Sequence, residues 1–184
     1  MPKVLFACAK GIEEAEFSCP FDILKRAGAG VTVVKVKEDE KDTEKFFETK
    51  HGLKVSVDKF IEDVKDEIYD LIICCGGHPN SVILGKNKDL VEMLKKQKKE
   101  GRWYSAICVA PYDVFEVNGL FEGEKGVGHP AYEKIKNLSD ERVVVSNKCI
   151  TSKGPGTSIE FGFALAKALF PKDEIEKLQD FFIF

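Results

Sequence analysis

The sequence predicts an α/β sandwich, a mostly parallel sheet held between two layers of helices, and three observations lead there. Short apolar runs alternate with amphipathic stretches from end to end. Several of those runs are too uniformly apolar for a sheet wetted on one side, so they belong between helix layers. With 184 residues, no repeat and no Pro/Gly/Ser-rich linker, the chain is expected to be one domain spanning 1–184. Alternation of this kind calls for right-handed crossovers between neighbouring parallel strands.

In order along the chain, Val4 to Ala9 reads as the first strand and Glu13 to Ala27 as the helix that follows it. Val31 to Val36 reads as the second strand. Lys37 to Lys50 carries ten charged residues in fourteen, both signs interspersed, and is read as a solvated excursion ending in a small hairpin with Leu53, Val55 and Val57. Tyr69 to Cys74 is the next strand, and Leu90, Val91 and Leu94 mark a helix whose end is rich in lysine, as the negative end of a helix dipole favours. Tyr104 to Ile107 reads as a strand leading into a helical spacing of Val109, Tyr112 and Phe115. Val143 to Ser146 is a last strand, and Ile159, Phe163, Ala166 and Phe170 a last long helix. The amphipathic segment Lys172 to Phe184 ends in four apolar residues, which are expected to dock on the body or on a second subunit.

Composition excludes several function classes. Net charge is −3, with no sequence-wide positive field, so nucleic acid is not an expected partner. No apolar run approaches the roughly 18 residues of a membrane span, and a cytoplasmic location is expected. The six cysteines fall mostly in apolar runs and are read as reduced thiols. With three histidines and no C-x-x-C, no metal site is expected.

The strongest chemical signal is Tyr104-Ser105-Ala106-Ile107-Cys108-Val109-Ala110-Pro111, a β-prone run meeting a helical pattern with small residues around a cysteine. This is the pattern of a nucleophile elbow, in which a strained turn projects the side chain from the sheet edge toward a positive helix end that favours thiolate. Taken alone, Cys108 reads equally well as a buried small hydrophobe. Cys75-Gly76-Gly77-His78-Pro79 follows a central strand, where glycines let amides approach a ligand oxygen, though such a pair is also a plain turn. Glu16 sits early in a helix at the same edge, and Pro20, four residues on, cannot donate to its carbonyl. Beside a thiolate, its carboxyl would be raised and could serve as a neutral acid. Glu13 and Glu14 are assigned to charge compensation at the helix start. In Gly126-Val127-Gly128-His129-Pro130, His129 is suited to proton transfer, whereas His51 and His78 are given no such role.

Together these segments resemble the DJ-one/PfpI superfamily, within the clade of the human Parkinsonism-associated deglycase. The carriers are Ala9-Lys10-Gly11-Ile12-Glu13-Glu14-Ala15-Glu16, Arg26-Ala27-Gly28, Gly76-Gly77, Ala106-Ile107-Cys108-Val109-Ala110-Pro111, His129-Pro130 and Thr151-Ser152-Lys153-Gly154-Pro155-Gly156-Thr157. The resemblance implies a flavodoxin-like three-layer sandwich and a homodimer. It further implies Cys108 as the reactive cysteine, Glu16 as the acid on its sulfur and His129 nearby, with backbone amides from Gly77, Val109 and Gly76 at an oxyanion site. Arg26 and His51, the latter where the clade has an arginine from the partner subunit, would bind anions. Gly156 and Thr157 would shape the pocket floor, with Thr157 or Ser158 capping the last long helix. PfpI-type peptidases carry histidine directly after the cysteine, and here that residue is Val109.

The function implied is a cofactor-free, glutathione-independent glyoxalase converting methylglyoxal to lactate, or a deglycase, acting on a small 2-oxoaldehyde or a glycated substrate. The alternative is an oxidative-stress sensor or chaperone in which Cys108 is oxidised to sulfinate. A thiazole or thiamine enzyme and a cysteine peptidase rank below both. Both leading readings call for a Cys108 thiol ionising well below about 8.5.

Overall fold

The computed structural model describes residues 1–131 and 135–184. Seven strands form one sheet: β1 (Lys3–Cys8), β2 (Gly30–Lys35), β5 (Lys59–Phe60), β6 (Leu71–Cys74), β7 (Trp103–Ile107), β8 (Val143–Ser146) and β9 (Cys149–Ser152). Their order is β5-β2-β1-β6-β7-β9-β8, and every pairing is parallel except that of β8 with β9. The uniformly apolar strands lie where that composition requires. Val4 to Cys8 and Leu71 to Cys74 are buried throughout, and no face of the sheet's middle meets water.

The helices are α1 (Glu14–Arg26), α2 (Asn80–Lys86), α3 (Lys88–Lys99), α4 (Ser158–Leu169) and α5 (Lys172–Phe182). One face of the sheet packs against α1 and α4 through Phe6, Phe17, Ile23, Ile73, Phe161 and Phe163; the other packs against α2 and α3 through Leu5, Ile72, Leu84, Leu94, Tyr104 and Phe115. Gly162 permits the close contact of α4 with α1, because a Cβ there would stand 2.7 Å from Ile23 Cδ1 and 3.1 Å from Pro20 Cα. The sequence therefore forms the flavodoxin-like α/β sandwich it was expected to form.

Four details differ from expectation. The helical spacing after Cys108 becomes a π-helical turn over Pro111–Phe115 and a 3-10 turn over Glu116–Asn118 rather than an α-helix. Strand β9 and helix α2 carry no periodic signal long enough to read. The hairpin of β3 (Phe46–Glu48) with β4 (Lys54–Ser56) forms, but the charged excursion before it is not wholly solvated. Asp42 turns inward to pair with Lys35, a buried lysine at the end of β2 that also donates to the Glu44 carbonyl at 2.9 Å; burying that ammonium requires such partners. Finally, the C-terminal aromatics divide. Phe182 and Phe184 pack on Phe163, while Phe181 and Ile183 stay exposed.

Candidate functional site

The strand order places β2 on one side of β1 and β6 on the other, so the chain after β1 and the chain after β6 leave the sheet in opposite directions. A crevice opens at the carboxyl edge of such a switch point. Into it run the three segments singled out in the sequence. The loop after β1 leads into α1 and Glu16, the loop after β6 supplies Gly76 and Gly77, and the end of β7 delivers Cys108.

Cys108 has φ of +65°, a left-handed conformation rare for a residue with a Cβ. Its neighbours hold it there from both sides. Its N–H donates to the Ser152 carbonyl of β9 at 3.0 Å, and its carbonyl accepts from the His129 N–H at 2.7 Å. Such over-determination is what keeps a strained residue in place. The residue as a whole is buried, 8% exposed. Gly76 makes room for it, since a Cβ there would lie 2.7 Å from Cys108 Cβ and 2.9 Å from Glu16 Oε2.

Glu16 is fully buried in the first turn of α1. Its N–H donates to Glu13 Oε2 at 3.0 Å, so Glu13 caps the helix start as expected. Its Oε2 accepts from Gly76 N–H at 2.8 Å, and its carboxyl lies within hydrogen-bonding reach of the Cys108 thiol. Oε1 is buried with no partner of regular geometry. An ionised carboxylate with an orphan oxygen is costly in such a place. Burial accordingly pushes the Glu16 carboxyl up to about 7, against the lowering effect of its bonds to Cys108 and Gly76.

The expectation of an unusually acidic thiol meets a correction. Burial and then the negative charge of Glu16 push the Cys108 thiol up, and the Val109 amide pulls it only partly back. The two groups titrate together: the pair loses its first proton near 7 and resists losing the second. Above about 7 the pair carries one negative charge and one proton.

His129 lies beside this pair. Its Nδ1 accepts from the Ala131 N–H at 3.2 Å, which leaves Nε2 as the donor of the neutral ring. A Cβ on Gly154 would stand 3.5 Å from His129 Cδ2 and 3.9 Å from Cys108 Sγ, so this glycine forms the wall between them. Gly154 opens the Gly154-Pro155-Gly156-Thr157 segment that was expected to shape the pocket floor. Gly156 instead presents its carbonyl to Arg142 at 2.9 Å. The Thr157 hydroxyl turns inward to Ser152 Oγ at 2.6 Å and the Gly154 carbonyl at 2.8 Å, without capping α4. A pocket of about 180 Å³ adjoins the histidine, lined by Val127, Gly128, His129, Ser139, Asp140 and Lys153 among others.

One further assignment changes. The Gly76 amide is spent on Glu16 and is not free for an oxyanion, leaving Gly77 and Val109. Gly77 has φ of +86°, and a Cβ there would strike the Gly11 carbonyl at 2.2 Å, so the residue is fixed by packing as well as by conformation. Within its own protomer the His51 ring Nδ1 and N–H both bond Glu14, at 2.7 Å each. Glu14 thus anchors the β3–β4 hairpin, also accepting from Thr49. Burial pushes the Glu14 carboxyl up, but these bonds outweigh it and hold it at about 2. Arg26 sits ten residues beyond Glu16 on α1, about 15 Å along the axis. There it pairs with Asp22 and lies over the rings of Phe181 and Phe182.

Among the described residues, Glu13, Glu14 and His51 bring possible metal-ligating atoms within 4.8 Å of one another. Glu13 is already committed to the helix start and Glu14 to the hairpin.

The fold that carries this site has close counterparts. The structure superposes on Toxoplasma gondii DJ-1, oxidized, with a TM-score of 0.94 at 34% identity, covering 100% of this chain and 99% of that one. Protein DJ-1 homolog A of Arabidopsis thaliana is 36% identical over 95% of this chain, which spans only 45% of that relative's length. The glutathione-independent glyoxalase DJ-1 of Schizosaccharomyces pombe is 29% identical, over 95% of this chain and 94% of that protein. Residues 2–168 match the DJ-1/PfpI family model, and with the fold shared the chain belongs to the DJ-1/PfpI family.

Proposed function

We propose that the protein is a cofactor-free glyoxalase that converts methylglyoxal and related 2-oxoaldehydes to 2-hydroxy acids through Cys108. The observation that carries this reading is a buried glutamate, raised to about 7, within hydrogen-bonding reach of the sulfur of a strained cysteine. The name of the fission-yeast relative supports it.

The Cys108 sulfur, its proton held by Glu16, adds to the aldehyde carbon to form a hemithioacetal. The new alkoxide takes a proton from Glu16 and is stabilised by the amides of Gly77 and Val109. A proton then leaves the former aldehyde carbon and one is delivered to the former ketone carbon, with Glu16 and His129 as carriers. The first carbon is thereby oxidised to a thioester while the second is reduced to an alcohol, so no external electron acceptor is required. Water adds to the thioester, the carbon–sulfur bond breaks, and lactate leaves with Cys108 restored. The same first step on an early glycated amine or thiol would appear as deglycase activity. A homodimer in the cytoplasm remains part of this reading, the partner's contribution being the place to seek an anion-binding cation.

Methylglyoxal supplied without glutathione is expected to yield lactate, followed by an enzyme-coupled assay. The fully protonated pair has neither thiolate nor base, so kcat/KM should rise with one-proton slope through an acid limb near 7, where Glu16 titrates. Aldehyde loss no faster than in buffer would overturn the reading.

A second reading, oxidation sensing, is favoured by the same hydrogen-bonded sulfur and by a solved relative described as oxidized. Each peroxide gives one oxygen to the sulfur and leaves as water, first to sulfenate and then to sulfinate, which a protonated Glu16 can bond. Mild peroxide is then expected to add two oxygens to Cys108 before any other of the six cysteines, as read by peptide mass spectrometry. Uniform oxidation would count against a sensor.

A further inference from the structure

Cys75 takes no part in the steps above, yet its thiol lies against the residue on which they turn. Within α1 the Glu16 carbonyl would ordinarily accept from the amide four residues on, and that residue is Pro20, which has none. Cys75 Sγ stands 3.0 Å from this carbonyl and donates to it. The next residue, Gly76, donates its N–H to the Glu16 carboxyl at 2.8 Å. Two consecutive residues at the end of β6 thus grip one residue at both ends, main chain and side chain. Cys75 is fully buried, and burial followed by the charge of Glu16 pushes its thiol up, which keeps the hydrogen on sulfur.

We propose that Cys75 is a positioning residue: its thiol replaces the amide that Pro20 lacks and fixes the first turn of α1 so that the Glu16 carboxyl stays buried on Cys108. The proposal deepens the reading of Glu16 and Cys108 as the reactive pair and rests on it. The titratable groups facing that pair are Glu13 at the helix cap, Lys50 on the hairpin and His129 beside Gly154, and all three stay in place in the variants below.

The experiment is the rate of Cys108 alkylation by iodoacetamide against pH, resolved by peptide mass spectrometry on the intact protein without aldehyde. Cys75→Val removes the donor at similar volume. Freed from its grip, Glu16 gains solvent, and the acid limb is expected to move down by about one unit while the rate at pH 7 falls at least about threefold. Cys75→Ser keeps a donor and should retain the wild-type profile. The decisive variant is Cys75→Val with Pro20→Ala, which returns an amide to the helix and should restore the profile without touching Cys108. A Cys75→Val profile that overlays wild type, or a double variant no closer to wild type than the single one, overturns the proposal. If Cys75→Val does not fold, Cys75→Ala takes its place with the same expectations. Because no aldehyde is present, a protein inactive on methylglyoxal leaves this outcome readable, and an active one with overlaid profiles rejects only the role of Cys75.

Discussion

Cys108→Ala is expected to bring lactate formation down to the buffer rate, a loss of at least about a thousandfold in kcat/KM. No other thiol can substitute. Burial pushes the thiols of Cys8, Cys74, Cys75 and Cys149 up, and none has access to solvent. Cys19 is half-buried on α1, and burial raises its thiol as well. The fold should survive, because the backbone bonds that hold position 108 involve its N–H and carbonyl and not its sulfur. Far-ultraviolet circular dichroism and a thermal melt check this beside the activity assay. Lactate production at the wild-type rate by a folded alanine variant would reject the role of Cys108.

Glu16→Gln is expected to have two effects of opposite sign. Activity should fall by about a hundredfold to ten-thousandfold, because the amide can neither hold nor release the proton that the sulfur, the alkoxide and the carbon exchange. Stability above neutrality should rise. The carboxyl goes from 4.5 to about 7 on folding. Between those values the folded protein keeps a proton that the unfolded chain has lost. Wild-type stability therefore declines as pH rises through this window, by up to about 3 kcal/mol. Glutamine does not ionise and keeps an oxygen for the Gly76 amide, so the variant escapes that decline. Urea denaturation at pH 5 and pH 8 checks it: the advantage of the variant should be small at the lower pH and largest at the higher. An advantage independent of pH would mean that Glu16 does not carry the proton.

Much of this was legible in the sequence because burial writes itself into composition. Val4 to Ala9 and Tyr69 to Cys74 are apolar without interruption, and such runs are sheet centres wherever they occur. Cys108 was legible because a tight turn demands small neighbours, and Ala106 and Ala110 supply them. Strand β9 was not legible: Cys149–Ser152 is four residues long and half polar, and its side chains are chosen by what they bond, Thr151 for the Val127 amide and Ser152 for Thr157. The inward turn of Asp42 was hidden by the charged residues around it. Cys75 could not have been assigned, since its partner is a carbonyl 59 positions away. The absence that it fills, the amide missing from Pro20, was nonetheless visible.

The two backbone ties on Cys108 have a consequence for anyone engineering this scaffold. The aim of the sulfur is set jointly by β9 and by the stretch that begins at His129, neither of which needs to meet a substrate. Small distortions of either would tilt the attacking atom away from its line of approach while the sandwich remained whole. Libraries screened by melting temperature alone would keep such silent failures, so selection at these positions belongs with a readout of the thiol itself.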